Sequence, residues 1–390
     1  MTYGTIADRY AYESPWLRSR AKEACPDNDQ KSRMGARSAE SVEPDSYLSQ
    51  AKDLICSVPG TCYSILSRSA VVLTPFHWMI ENRLGVAKVV GIALVRSQVF
   101  PWLGKTFPDK FPCLAKFPGL QESREIVKEA CEANNTNGFR FEQLPIKHDS
   151  GIILQGVICY PPDWDPNNSQ CVLYHNPNGM VLSQLLGRGC LHPGSAPGRI
   201  QSEKKCPVIL YDYRGTGLNQ SDGLSGYLPF STYETVVQDG AAALGYALEN
   251  FEYVYVAGTS LGGGVATVSL ARHLEARGGQ DDSRVELLSH DSFTTAPRVV
   301  MPDRPRLANF LGWLVGGNLD AEAPMRKLID RKVYIVSLNH RDDPVIPKGA
   351  RMSEFIKSLH HGQLDPGQVF AKEFSGNSHA VLTYEMVKYL

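Results

Sequence analysis

The residue types able to do chemistry gather around Ser260. The segment Gly258-Thr259-Ser260-Leu261-Gly262 carries the pattern Gly-x-Ser-x-Gly. An apolar, strand-like run (253–257) precedes it and a helix-like run (265–274) follows. A nucleophilic serine on a strand–turn–helix elbow requires that order, because its hydroxyl must stand clear at the end of a sheet. Glycines at 258 and 262 lack Cβ and let strand and helix close around the turn. A serine hydroxyl attacks poorly until a base takes its proton. The base expected is His379, in the loop Ser375-Gly376-Asn377-Ser378-His379 after the apolar run 369–374. His360 and His361 end a helix-like segment and read as solvated. The acid expected is Asp343, at the start of the stiff turn Asp343-Pro344-Val345-Ile346-Pro347 behind the run 333–338. Asp342 is a second candidate for that role, or a partner of Arg341 or His340, and Asp291, after the run 285–288, is a third. Serine, then acid, then histidine is the chain order this arrangement takes on an elbow of this kind.

Attack on a carbonyl also needs donors for the developing negative charge. One is the backbone N–H of Leu261, next to the nucleophile. The other is expected from His175-Asn176-Pro177-Asn178-Gly179-Met180, behind the apolar run 171–174. Pro177 has no N–H to give, so the donor moves to Asn178, Gly179 or Met180. Gly179 allows close backbone approach, and Asn178 adds a side-chain amide.

These residues need a frame that brings them together. Short, near-continuous apolar runs at 171–174, 208–210, 253–257, 285–288, 333–338 and 369–374 read as strands buried on both faces. Helix-like stretches at 233–248, 263–277 and 348–359 lie between several of them, and alternating strand and helix implies a mostly parallel sheet. Two further strands, ending near Ile146 and Tyr160, are joined by the turn His148-Asp149-Ser150-Gly151. A helix-like stretch is also expected over 381–389. Upstream, residues 1–44 are polar and read as a flexible leader, and 45–135 as a helical N-terminal extension, leaving 136–390 for the catalytic domain.

Composition narrows the function further. With 40 Lys plus Arg against 41 Asp plus Glu, the chain lacks the excess positive charge that phosphate binding needs, so no nucleic-acid partner is expected. Nine cysteines make an odd set without a C-x-x-C pair, and none follows Cys206, so reduced thiols and no metal site are expected. No cofactor is called for. No signal peptide is apparent and no apolar stretch reaches the length of a membrane span, which leads to an expected cytoplasmic location, or a host-cytosolic one if the chain is secreted by a non-classical route. The apolar stretches within 69–103 are a candidate for peripheral membrane contact. Oligomeric state is not readable.

With these residues in place, 137–390 resembles the α/β-hydrolase superfamily. Asp212-Tyr213-Arg214-Gly215-Thr216-Gly217-Leu218-Asn219-Gln220-Ser221 is similar to a turn found in many of its members. Arg214 within it reads as a structural anchor. Asn176-Pro177-Asn178-Gly179-Met180 together with that turn is similar to a poorly characterised hydrolase-like family of chlamydiae and related intracellular bacteria. The His-Gly usual in the oxyanion loop is His175-Asn176 here. The resemblance implies an α/β-hydrolase fold with helices on both faces of the sheet, and a lid segment within 291–332. It also implies a serine hydrolase acting on a small-molecule or lipid-like acyl substrate. Two other functions compete: a hydrolase-fold protein that binds partners with weak catalysis or none, and a membrane-surface lipase or acyltransferase.

Overall fold

A computed structural model of the chain describes residues 120–390, apart from 133–137, 149–150, 179, 187–190, 220–232, 279–281, 305, 308, 310–318, 360–364 and 366. The leader at 1–44, the apolar stretches at 69–103 and Gly179 therefore lie outside the described residues, as do His360 and His361.

The chain enters through a helix, α1 (Leu120–Glu132), and a hairpin of β1 (Arg140–Lys147) and β2 (Ile153–Tyr160). β3 (Gln170–His175) follows, then the short α2 (Leu182–Leu185), α3 (Ala196–Lys204) and β4 (Val208–Tyr211). The second half alternates strictly through α4 (Tyr233–Asn250), β5 (Tyr253–Thr259), α5 (Leu261–Ala276) and β6 (Val285–His290). It continues with α6 (Ala296–Val300), α7 (Glu322–Asp330) and β7 (Tyr334–His340). The last elements are α8 (Met352–Leu359), β8 (Val369–Phe374) and the single turn α9 (Tyr384–Val387). One eight-stranded sheet runs in the order β1-β2-β4-β3-β5-β6-β7-β8. β2 is antiparallel to both its neighbours, and all pairs from β4 to β8 are parallel. This is the α/β-hydrolase fold.

The apolar runs form strands because both faces of the sheet are covered. Leu173, Ile209 and Val256 face one core cluster with α4, α5, α7 and α8. Their neighbours Val172, Tyr174, Leu210 and Ala257 face the other, with α1, α2, α3 and α9. Successive side chains of a strand point to opposite faces, so each strand feeds two cores. Each fully buried aliphatic side chain contributes about 1.5–3 kcal/mol, which is why these strands contain so little polarity. α1 buries Val127 and Ala130 in the second cluster beside Phe141 of β1. The described end of the N-terminal extension is thus packed onto the sheet.

One sequence expectation needs correction, and one element was not expected. The helix over 381–389 is only the turn Tyr384–Val387, because Ala380 sits at φ +62° and Thr383 caps a new start through its side chain. α3 had no sequence signal, since Pro197 and Gly198 look like turn residues. Ser195 caps it by accepting from the Gly198 N–H, and proline is tolerated in the first helical turn. Within the expected lid segment, 310–318 lie outside the described residues. The flanks are core: Phe293 and Ala296 are buried, and α7 buries Met325, Leu328 and Ile329.

The sheet order places the site. The chain steps outward from β3 to β4, then crosses back to put β5 on the other side of β3. The crevice at such a reversal, beyond the carboxyl ends of the strands, is where open α/β sheets hold ligands. Ser260 follows β5 there, beside the loop that follows β3.

Candidate active site

Ser260 lies between β5 and α5 with φ +54° and ψ −117°, a conformation foreign to an L-residue. Strain of this kind costs about 1–3 kcal/mol and persists only where the surroundings over-determine it. Here they do. The Ser260 N–H donates to the His290 carbonyl (2.9 Å). Its own carbonyl accepts from the Ser292 hydroxyl (3.0 Å) and from the N–H groups of Gly263 and Gly264 (3.1 and 3.3 Å).

Two glycines make the elbow sterically feasible. A Cβ on Gly258 would lie 2.2 Å from the Gly262 carbonyl oxygen. A Cβ on Gly262 would lie 2.0 Å from the His175 carbonyl oxygen. The elbow and the loop after β3 are therefore in backbone contact, with no room for a side chain.

His379, Asp343 and Ser260 come together from three loops. His379 Nε2 is 3.0 Å from Ser260 Oγ, and its Nδ1 is 2.8 Å from Asp343 Oδ2. An ionised carboxylate only accepts, so Nδ1 carries the proton toward Asp343 and Nε2 is free to accept from the serine hydroxyl. The other oxygen of Asp343 accepts from the N–H groups of Val345 (2.7 Å) and Ile346 (3.0 Å), locking the carboxylate inside the proline-flanked turn. Burial alone pushes His379 down. The hydrogen bond and charge of Asp343, together with the charge of Asp291, override it and hold the imidazole above its ordinary range. Asp342 is exposed and takes no part.

Asp291, the third acid candidate, is not bonded to the His379 ring. It is fully buried at φ +41° at the end of β6. Its carboxylate accepts from His340 N (2.8 Å), from His340 Nδ1 (2.9 Å) and from Ala380 N (3.0 Å). His340 thus pairs with Asp291 and not with Asp342. Burial raises Asp291, but the neighbouring imidazoles His290, His340 and His379 outweigh it and bring it down to about 2.

His290, Asp291 and His340 each offer a ligand atom within 4.8 Å of the others, a spacing that suits a metal ion. The donors already on Asp291 account for that approach as hydrogen bonding. A ligating histidine also needs a partner for its second ring nitrogen, and His340 Nε2 is buried with none.

On the electrophilic side, Leu261 is the first residue of α5, so its N–H has no acceptor four residues back. It points from a helix N-terminus, where partial positive charge accumulates. In the loop after β3, Asn176 is tied down: its amide donates to the Tyr211 carbonyl (2.9 Å) and its own carbonyl accepts from the Tyr213 hydroxyl (3.0 Å). The Met180 N–H closes a turn onto the Pro177 carbonyl (3.3 Å). Asn178 is exposed at the tip of that turn. Arg214 anchors its loop as expected, its backbone N–H and Nε both donating to the buried Asp239 (2.8 and 2.7 Å).

Two contributors carried no clear sequence signal. Ser292 supports the Ser260 carbonyl, and Ala380 N–H links Asp291 to the His379 loop. A cluster of polar residues, His290-Asp291-Ser292, at the end of an apolar strand is the one hint available in the sequence.

No protein-family model matches the sequence, and no curated protein matches it significantly. Among solved structures, the chain is similar to a hyperthermophilic esterase from the archaeon Pyrobaculum calidifontis at 17% identity and TM-score 0.41, over 67% of this chain and 82% of that one. It is similar to EstE1, a thermophilic carboxylesterase cloned from a metagenomic library, at 15% identity and TM-score 0.40, over 67% and 89%. It is also similar to a puromycin-hydrolyzing peptidase of Mycobacterium tuberculosis at 16% identity and TM-score 0.44, over 65% of this chain and 38% of that one.

Proposed function

We propose that the chain is a serine hydrolase that cleaves a carboxylic ester, thioester or amide through an acyl-enzyme. One observation carries the reading: a hydrogen-bonded chain from Ser260 through His379 to Asp343, with the serine on a strained elbow at the sheet's reversal point. Ser260 Oγ attacks the substrate carbonyl while His379 Nε2 takes its proton. Asp343 holds the Nδ1–H tautomer and stabilises the imidazolium that forms. The oxyanion is met by the Leu261 N–H and by a second donor in the loop after β3, from Asn178 or Gly179. A missing donor of this kind costs about 100- to 1000-fold in rate. His379 then returns the proton to the leaving alcohol, thiol or amine. Water attacks the acyl group by the same route in reverse and frees Ser260.

Pro177 supports a second reading, a hydrolase-fold protein that binds a partner, because it removes an N–H from the loop that must complete the oxyanion site. A fluorophosphonate probe separates the two. Wild type is expected to label and Ser260→Ala is not. Folded wild type that fails to label supports the binding protein, and labelling retained in Ser260→Ala removes the nucleophile assignment. A chain-length series of p-nitrophenyl esters then reports the acyl group preferred.

A further inference from the structure

The site contains a second buried carboxylate that the hydrolytic mechanism does not use. Asp291 reaches it from the end of β6, one strand away from Asp343 at the end of β7. Ligand atoms of Asp291, Asp343 and His379 all lie within 4.8 Å of one another. One imidazole is thus faced by two carboxylates, one bonded to its ring and the other bonded to the peptide that follows it. That peptide matters mechanically. Ala380 is at φ +62°, and its N–H donates to Asp291 Oδ2 at 3.0 Å. Asp291 is itself in the left-handed region, and its own N–H donates to the Leu338 carbonyl (2.8 Å). Two strained residues on different loops therefore hold each other, and His379 hangs from one of them.

We propose that Asp291 is a positioning residue for His379. It anchors the strained peptide after the histidine and sets a second buried negative charge beside the imidazole. The proposal rests on the serine hydrolase reading above. The titratable groups around His379 are Asp343 on its Nδ1 side, Asp291 behind it, and His290 and His340 packed against Asp291. His290 is pushed down to about 4, chiefly by burial, so it is uncharged near neutrality. His340 is hydrogen-bonded to Asp291 through its Nδ1 (2.9 Å). The charge of Asp291 also bears on His379. It favours the imidazolium, the form His379 takes as Ser260 attacks.

The test is the pH dependence of inactivation by a fluorophosphonate, on the full chain, for wild type and Asp291→Asn. Asparagine keeps the size, keeps one acceptor oxygen that can serve the Ala380 N–H, and removes the charge, with its amide nitrogen then facing the His340 N–H. The acid limb is expected to move down by about one pH unit, as for loss of a carboxylate a few ångströms from a base. The plateau rate is expected to fall about tenfold, with KM for a p-nitrophenyl ester changed less than about twofold. A role confined to packing would lower the yield of folded protein and leave the limb in place. Folded Asp291→Asn with an unmoved limb and an unchanged plateau overturns the proposal. Should Asp291→Asn not fold, replacing Ala380 by its α-hydroxy analogue removes only the N–H. A plateau lowered about threefold or more then supports the anchor, and an unchanged plateau overturns it. Wild type that does not label, or Ser260→Ala that does, fails the hydrolase reading and takes this proposal with it.

Discussion

Gly262→Ala is the sharpest probe of how the elbow and the oxyanion loop depend on each other. The new Cβ would meet the His175 carbonyl oxygen at 2.0 Å, the His175 carbonyl carbon at 2.6 Å and the Asn176 carbonyl oxygen at 2.8 Å. All three are backbone atoms, so no side chain can swing away. Ordinary contact begins at 3.4 Å, and the shortfall against the nearest atom is about 1.4 Å. Either the first turn of α5 moves, taking Leu261 N–H with it, or the strand end moves, taking the loop at Asn178 with it. A misplacement of about 1 Å in a catalytic arrangement costs about 100-fold in rate. We therefore expect kcat/KM on a p-nitrophenyl ester to fall about 100-fold or more, with fluorophosphonate labelling slowed in parallel. Thermal unfolding should show a loss of about 1–3 kcal/mol, the usual cost of overpacking. Gly245→Ala is the paired control. It lies in α4 with nothing within 4 Å of its Cβ position, and it should gain about 0.5–1 kcal/mol without touching activity. Gly262→Ala with kcat/KM within threefold of wild type would refute the claim that elbow and loop share one rigid contact.

Ser260→Gly should abolish labelling and yet stabilise the fold by about 1 kcal/mol, because glycine accepts φ +54° without strain; a loss of stability in a denaturant titration would show that the elbow is not strained. His379 must be neutral to act as base, and its site holds it above 6.5, so kcat/KM should rise with pH through a limb above 6.5; a limb at or below that value contradicts the two-carboxylate environment. Asp291 is lowered from 3.8 to about 2, so the stability it adds is complete above pH 3.8 and is lost as pH falls toward 2; acid unfolding of Asp291→Asn should lack about 2 kcal/mol of that fall.

The strand–helix alternation was legible because strands covered on both faces leave a run with little polarity, as in β4 and β5; the edge strand β8 shows the limit, half-buried and carrying Lys372 and Glu373. Ser260, Asp343 and His379 were legible for a related reason. Each sits on a loop at the carboxyl end of such a run, and those loops must meet. Proline helped with Asp343, since a stiff turn announces a fixed carboxylate. What stayed hidden depends on backbone torsion and on contacts across the sheet. Ala380 looks like a helix former, and only its positive φ keeps the helix from starting there and turns its N–H to Asp291. Asp291 was visible as a carboxylate at a strand end, but its register beside β7 decides that it serves His340 and Ala380. The second oxyanion donor was unreadable because Pro177 moves the N–H without saying where.

The distance along the chain between the reacting groups has a consequence for biogenesis. Ser260 and His379 are 119 residues apart, and His379 follows the strand that joins the sheet at its far edge, beside β7. Contacts of such long range form late, after the entropy of closing large loops has been overcome. On the mechanism proposed above, a chain that has not yet closed this contact holds an unactivated serine. On the proposed mechanism, reactivity switches on when β8 docks and delivers His379, so a covalent probe for Ser260 would also report the completion of folding.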